Sequence, residues 1–320
     1  MENLFEIRDL TVDFPLRTGT VRAVNHVDLD IPKGKVLALV GESGSGKSTL
    51  ATAIIRLVPI PGKILSGQIL YKGKDVLKMS NEELNRYRWE EVSMVFQAAQ
   101  NSLNPVMTVK EHFLETAQIH SDQYDEEETI KKVVKLLEYV RLEANRVLRS
   151  YPHELSGGMK QRVLIALSML LDPQMIILDE PTTALDVITQ DYIFNILKQI
   201  HEELGITMLL LTHDIAVVAK VAQLMGVMYA GHLVEIGEVR EMFRNAVHPY
   251  TRQLLRAAPS LLDELRERNP IMGGPPDPYN MPEGCPFHPR CSDGDPKCSK
   301  QKPRMIEVAP GHKVMCNKSM

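Results

Sequence analysis

The sequence predicts an α/β protein with a mainly parallel sheet, an antiparallel β subdomain and a helical subdomain. Two kinds of segment carry this prediction. Short continuous apolar runs, such as Val36–Val40 and Met175–Leu178, are typical of buried strands. Amphipathic helical segments such as Val187–Leu204 follow runs of this kind. Strands that alternate with helices form parallel sheets with helices on both faces.

The composition excludes several classes of protein. Among 320 residues there are 37 basic and 41 acidic side chains, a formal charge of −4, so we expect no nucleic-acid partner. Apolar runs such as Met208–Leu211 are far shorter than the ~20 residues that span a bilayer. Residues 1–9 contain acids and lack the apolar core of a signal peptide. We therefore expect a cytoplasmic protein that reaches a membrane only through partners.

Three β-like runs near the start predict the antiparallel strands: Leu4–Phe14, Val21–Ile31 and Ser66–Tyr71. From about residue 98 to 165 the sequence is mostly polar and helical, which predicts the helical subdomain. Its acidic run, Asp125–Glu128, is typical of the first turn of a solvated helix, and we assign it no function.

Residues Gly41–Ser48 fit the phosphate-binding pattern G-x-x-x-x-G-K-[ST]. A predicted strand leads into this loop and a predicted helix follows it, as the binding mechanism requires. The glycines let backbone N–H groups turn towards phosphates, and the helix N-terminus adds partial positive charge. We expect Lys47 to contact the β- and γ-phosphates of a nucleotide and the Ser48 hydroxyl to bind Mg²⁺.

Two further segments carry suitable chemistry. The apolar strand Met175–Leu178 ends in two acids, of which Asp179 suits a Mg²⁺ ion and Glu180 is placed to orient or deprotonate an attacking water. Residues Leu155–Arg162 place a serine and two glycines at the start of a helix, where an anion can bind. A serine N-cap alone would also explain that segment. Its position ahead of the acidic strand favours the anion site.

These motifs together resemble the ATP-binding subunits of ABC transporters, whose core is a P-loop, RecA-like ATPase. The resemblance covers about residues 4–260. It implies that ATP is bound by an aromatic residue that stacks on adenine and by the Walker A loop. These residues are Phe14, Gly41, Ser43, Gly44, Ser45, Gly46, Lys47, Ser48 and Thr49. A lone phenylalanine at position 14 is equally compatible with a place in the core.

The same resemblance assigns the remaining motifs. Three residues match the catalytic positions: Gln97 of the Q-loop, Glu180 of Walker B and His213 of the switch. The implied Mg²⁺ ligands are Ser48, Gln97 and Asp179. The signature residues, which contact the ATP of a partner subunit, are Ser156, Gly157 and Gly158. Asp186 belongs to the D-loop, in which Thr183 stands where serine is commoner. Because all of these motifs are intact, we expect a subunit competent to hydrolyse ATP.

Four shorter features resemble the oligopeptide/dipeptide importer group, and in particular its first ATPase subunit. They are Ser102–Pro105, Met159, His248–Thr251 and Gly284–Cys291. This resemblance implies a second homologous ATPase subunit, two transmembrane permease subunits and, indirectly, an extracytoplasmic substrate-binding protein. It also implies a peripheral position on the cytoplasmic face of the cell membrane. Relatives in the group carry nickel, glutathione or oligosaccharides, so the cargo does not follow from the chain.

All four cysteines lie in the last 36 residues, with the spacing C-x5-C-x6-C-x17-C. The composition shifts to Pro, Gly and Cys after Asn269, and we divide the chain into an ATPase domain, 1–260, and an extension, 261–320. The spacing matches neither common zinc ribbons nor the familiar ferredoxin patterns, although thiolates suit an iron–sulfur cluster or Zn²⁺. Free thiols or disulfides are the remaining alternative. The family resemblance implies a [4Fe–4S] cluster held by Cys285, Cys291, Cys298 and Cys316.

The extension is rich in proline and poor in large apolar side chains, so we expect it to bury little core and to gain its fold from a metal. Residues 285–320 carry seven basic and three acidic side chains, which favours a solvated basic loop over a surface for a partner or a lipid headgroup. We expect His288 and His312 to be loop histidines rather than substitute ligands.

Two other functions compete with transport. An ABC ATPase that acts on DNA would separate its two ATPase halves by a long coiled coil, but residues 49–155 show no sustained heptad pattern. A redox-regulated ATPase that uses the cysteines as a switch is the second alternative, and oxidation-dependent ATPase activity would support it.

Overall fold

The structure is a computed structural model that describes residues 2–97, 102–122, 124–257 and 271–319. Within it the chain divides into two units, one formed by residues 1–77 with 211–320 and the other by residues 78–210. The domain boundary predicted at residue 260 and the predicted start of the helical subdomain at residue 98 both lie outside the described residues.

The first unit begins with an antiparallel sheet in the order β2-β1-β4-β5. Its strands are β1 (Asn3–Leu16), β2 (Gly19–Pro32), β4 (Lys63–Tyr71) and β5 (Lys74–Asp75). Apolar side chains of β1 and β2 are buried, as their sequence pattern requires. The predicted antiparallel subdomain is confirmed.

A second sheet of the first unit has the order β11-β12-β10-β9-β3. These strands are β3 (Val36–Val40), β9 (Leu224–Tyr229), β10 (His232–Glu238), β11 (Met305–Ala309) and β12 (His312–Met315). Strands β3 and β9 are parallel, and the other pairs are antiparallel. The described residues of this unit form four α-helices: α1 (Lys47–Ile54), α8 (Ile215–Val221), α9 (Val239–Asn245) and α10 (Pro249–Ala257). Every residue of β3 is buried, so the loop that follows it starts from a rigid strand.

The extension buries more core than its composition predicts. Phe287 is 1 % exposed, and its ring centroid lies 5.2 Å from that of Tyr229 and 5.4 Å from that of Tyr250. Strand β12 pairs with β10, so the chain end also completes the sheet. The expectation of little core is wrong because the extension adds its few apolar side chains to an existing core instead of forming its own.

The described part of the second unit has three strands in the order β8-β7-β6. They are β6 (Val92–Val95), β7 (Met175–Asp179) and β8 (Thr207–Thr212), the last two residues of which belong to the first unit. Strands β6 and β7 are parallel. The helices are α2 (Asn81–Arg86), α3 (Val109–His120), α4 (Glu126–Tyr139), α5 (Ala144–Arg149), α6 (Gly157–Ser168) and α7 (Val187–Leu204). Asp125 caps α4 and three glutamates form its first turn, which confirms the interpretation of the acidic run.

No helix within the described ranges combines the length and the apolar character that a membrane span requires.

A buried carboxylate joins β10 to two other parts of the first unit. Glu235 is fully buried and accepts hydrogen bonds from the backbone N–H groups of Val247 and His248, at 2.7 and 3.1 Å. The Nε2 atom of His312 lies 2.8 Å from the same carboxylate. The expectation that His312 is a loop histidine is therefore wrong, since it is 3 % exposed and lies on β12.

Replacing Glu235 by alanine is expected to lower the free energy of unfolding by about 3 kcal/mol, because buried donors then lose their acceptor. Urea titration of the full chain measures this change. Glu238→Ala is the matched control, since Glu238 lies on the same strand, is exposed and makes no side-chain cap of α9. Equal stability of E235A and E238A would show that the buried carboxylate does not hold these parts together.

Candidate functional site

The loop between β3 and α1 has the backbone shape of a phosphate cradle. Gly41 and Gly46 adopt φ angles of 153° and 101°, which disfavour other residues. A Cβ atom at Gly41 would lie 2.2 Å from the carbonyl oxygen of Met228, and one at Gly46 would lie 2.2 Å from that of Ala23. Both glycines are therefore required by close approach of neighbouring backbone. Gly46 is the N-cap of α1 and has no side chain to cap the helix, and a helix N-terminus favours an anion.

Lys47 lies at the centre of this loop and is 6 % exposed. Its Nζ atom donates to the carbonyl oxygens of Gly41 and Glu42 at 2.8 and 3.0 Å, and to the Oγ atom of Ser45 at 3.3 Å. A buried ammonium needs such partners. The loop thus holds one positive charge at the mouth of a helix N-terminus, where a polyphosphate is stabilised.

The other predicted residues of the first unit differ in burial. Ser43, Gly44 and Ser48 are exposed, whereas Thr49 is half-buried. His213 follows β8 directly and is exposed. Phe14 is half-buried, and a Cβ atom at Gly62 would lie 2.6 Å from its Cε1 atom. The ring therefore packs against Gly62 and leaves part of its surface accessible.

In the second unit, Glu180 follows the buried strand β7 and is held by two side chains. The Nε2 atom of Gln97 and the Oγ1 atom of Thr183 each donate to its Oε2 atom at 3.0 Å. Glu180 adopts a φ angle of 46°, which is uncommon for a residue other than glycine. Asp179, just before it, is 4 % exposed. The structure therefore brings Gln97 and Glu180 together and adds Thr183, whose bond to Glu180 sequence reasoning missed.

The signature segment and the D-loop meet at Thr189. The Oγ atom of Ser156 caps α6 by accepting from the backbone of Met159 at 3.3 Å. A Cβ atom at Gly158 would lie 2.6 Å from the Cγ2 atom of Thr189. The carboxylate of Asp186 accepts from the backbone N–H and the hydroxyl of the same threonine, at 2.9 and 2.6 Å. The hydroxyl bond lowers the pKa of Asp186. No sequence signal pointed to Thr189.

The four cysteines form no disulfide with one another and line one small cavity of about 20 Å³ in the first unit. The backbone N–H of Cys285 donates to the carbonyl oxygen of Cys298 at 2.8 Å. Burial raises the pKa of Cys285 to about 11, and the nearby thiols of Cys316, Cys291 and Cys298 add to the rise. Burial also raises the pKa of Cys291. Among the described residues, no group of three or more His, Cys, Asp or Glu side chains is arranged so that it could hold a metal ion.

A phosphate loop after one strand, paired carboxylates after another and a glycine-rich helix start define a nucleotide-binding ATPase. The family model for ABC transporters matches residues 24–183, and the model for the oligopeptide/dipeptide transporter C-terminal region matches residues 234–298. The dipeptide transport ATP-binding protein DppD of Caldanaerobacter subterraneus is 47 % identical over 99 % of this chain and 97 % of its own length. The oligopeptide transport ATP-binding protein OppD of Escherichia coli is 40 % identical over 98 % of this chain and 93 % of its own length.

The chain therefore belongs to the ABC transporter family, as an ATP-binding subunit of the oligopeptide/dipeptide group. Solved structures agree with this assignment. The dimeric ABC transporter cassette MJ0796 superposes with a TM-score of 0.66 at 30 % identity, covering 74 % of this chain and 99 % of that one. The cassette cbiO1 from Clostridium perfringens superposes with a TM-score of 0.65 at 29 % identity, covering 77 % and 92 %. The family and fold predicted from the motifs are confirmed.

Replacing Thr183 by valine is expected to lower the kcat of ATP hydrolysis about 5-fold, because one hydrogen bond that orients Glu180 is lost. The KM for ATP is expected to change little, since the hydroxyl of Thr183 is bonded to the carboxylate of Glu180. Steady-state phosphate release measures both parameters.

Thr183→Ser keeps the hydroxyl and is the matched control, expected to retain the wild-type kcat. A T183V protein with unchanged kcat would show that Thr183 does not orient the carboxylate.

Proposed function

We propose that this chain is the ATPase that drives an importer of dipeptides or oligopeptides. Its relatives at 40–47 % identity are transport ATP-binding proteins for these two cargoes. The match of residues 234–298 to the C-terminal region of the same transporters supports this group over other ABC ATPases. Nickel, glutathione or oligosaccharide cargo is the alternative within the group.

The observation that carries the hydrolytic role is the oriented carboxylate of Glu180. A general base acts only when its carboxylate is oriented towards the proton that it accepts. Hydrogen bonds from Gln97 and Thr183 fix the orientation of the Glu180 carboxylate. Glu180 then orients or deprotonates the attacking water, and Gln97 is bonded to the same carboxylate. The exposed His213 contacts the γ-phosphate.

The phosphate loop accounts for nucleotide binding. Lys47 neutralises the β- and γ-phosphates, and the backbone N–H groups of residues 43–49 surround them. The ligands that the family resemblance implies for Mg²⁺ are Ser48 in the first unit and Gln97 and Asp179 in the second, and their side chains would supply the oxygen atoms that this ion prefers. Phe14 stacks on the adenine, which its partly accessible ring supports.

The signature segment acts on the ATP of a second, homologous ATPase subunit. Ser156 is exposed and Gly157 and Gly158 are half-buried at the start of α6, so an anion from another chain can reach them. Two transmembrane permease subunits and an extracytoplasmic binding protein complete the transporter, which places this chain on the cytoplasmic face of the membrane as a peripheral subunit.

Cys285, Cys291, Cys298 and Cys316 would be the ligands of a [4Fe–4S] cluster, with Zn²⁺ as the alternative. Their convergence on one cavity supports a shared ligand. Four cysteine thiolates are the usual ligands of such a cluster. Such a cluster would require the thiols to lose their protons, although burial raises the pKa of Cys285 and Cys291 in its absence.

Replacing Glu180 by glutamine is expected to lower ATP hydrolysis at least about 100-fold while ATP binding persists, because an amide cannot take a proton from water. Phosphate release and equilibrium ATP binding are measured on the full-length chain together with the subunits that co-purify with it. Glu138→Gln, an exposed change in the same unit, is the control. Hydrolysis that survives in E180Q would remove Glu180 from the role of base.

Anaerobic purification is expected to yield about four irons and four acid-labile sulfides per chain, with an absorption band in the visible spectrum. Cys291→Ser is expected to lower both contents, because one of the four thiolates is lost. One zinc per chain without sulfide would show that Zn²⁺ is bound instead of the cluster. A chain that contains neither iron nor zinc would contradict a metal site at these cysteines.

A further inference from the structure

Three groups of Glu42, the second residue of the phosphate loop, form hydrogen bonds: its backbone N–H, its carbonyl oxygen and its carboxylate. Its backbone N–H donates to the hydroxyl of Tyr250 at 3.0 Å. Its carbonyl oxygen accepts from Lys47. Its carboxylate accepts two hydrogen bonds from Arg290, from Nη1 at 2.8 Å and Nη2 at 2.9 Å. Two of these partners, Tyr250 and Arg290, come from the region of the chain beyond residue 248.

Arg290 is itself firmly fixed. Its side chain is 6 % exposed, its Nε atom donates to the carbonyl oxygen of Met272 at 3.0 Å, and its Nη1 atom lies 3.3 Å from the hydroxyl of Tyr229. The hydrogen bonds to Glu42 raise the pKa of Arg290 above its ordinary value. The expectation of a solvated basic loop is therefore wrong for this residue, because it forms a bidentate ion pair inside the protein.

The residue that binds Glu42 is adjacent in sequence to one of the cysteines. Arg290 ends the short 3-10 turn His288–Arg290 and directly precedes Cys291. Phe287, just before that turn, packs against Tyr229 and Tyr250. Cys285 and Cys291 pack against the same apolar cluster. A change in the backbone of this segment therefore moves the guanidinium that holds Glu42.

We propose that Arg290 is a positioning residue through which the segment Cys285–Cys298 sets the shape of the phosphate loop and hence its affinity for ATP. The proposal rests on ATP binding by this loop. Because a bidentate pair fixes direction as well as distance, a shorter or neutral side chain cannot replace it.

Arg290→Met and Glu42→Gln are each expected to weaken ATP binding about 10-fold, the effect of losing a charge-assisted hydrogen bond. Isothermal titration of the full-length chain with MgATP measures the affinity. The double variant is expected to bind no more weakly than either single variant, because both remove the same interaction. Arg290→Lys keeps the charge without the two parallel bonds and is expected to lie between R290M and wild type.

Arg304→Met is the matched control, since Arg304 is an exposed arginine of the same extension. Unchanged ATP affinity in both R290M and E42Q, or effects of the two changes that simply add, would overturn the proposal. If R290M does not fold, the MgATP affinities of E42Q and R290K still test the proposal. Wild-type protein that binds no MgATP would instead contradict the proposed function, so the two failures are distinguishable.

The link to the cysteines has its own test. Cys291→Ser is expected to weaken MgATP binding in the wild-type background and to have no further effect in the E42Q background, where the connection is already broken. Equal losses in both backgrounds, or no loss in the wild type, would show that the segment does not act through Glu42. Affinity is measured under anaerobic conditions to avoid thiol oxidation.

Discussion

The buried ammonium of Lys47 is the constraint on which the first unit depends, because a charge removed from water must be surrounded by oxygen atoms. The phosphate loop meets this need by turning its own carbonyl groups inward. That curvature leaves no room for side chains at Gly41 and Gly46, where backbone of β9 and β2 comes close. The sheets on either side thus determine the loop's shape, and the contact of Arg290 with Glu42 extends this dependence to the end of the chain.

The functional loops share one topological origin. The phosphate loop, Gln97, Glu180 and His213 each follow a strand directly or within two residues, so each begins from a buried and rigid element. Ligands of α/β sheets bind at the carboxyl ends of strands for this reason. The side chains differ between the units: the first contains the buried ammonium of Lys47 in the phosphate loop, and the second contains the hydrogen-bonded carboxylate of Glu180 and helix α6.

The sequence alone predicts those parts of the site whose residues are close together in the chain. The phosphate loop needs glycines at fixed spacing, and the strand ending in Asp179 and Glu180 shows its burial in its own composition. The bonds that hold the site together could not be predicted. Arg290 and Glu42 are separated by 248 positions, and the pairing depends on how the extension folds back onto the aromatic cluster. Likewise His312 belongs to the core only because β12 pairs with β10, which no periodicity in a short, proline-rich segment reveals.

The pairing of β12 with β10 also has a consequence for solubility. An unpaired strand edge offers a row of free backbone groups to which other chains can add. In the intact chain, β12 covers the edge of β10, and the outer strand β11 is five residues long with exposed Glu307 in its middle. Such a short, charged outer strand is a common protection against aggregation. A chain cut before residue 305 would lose this cover and expose β10, so truncation of the extension creates a template for self-association.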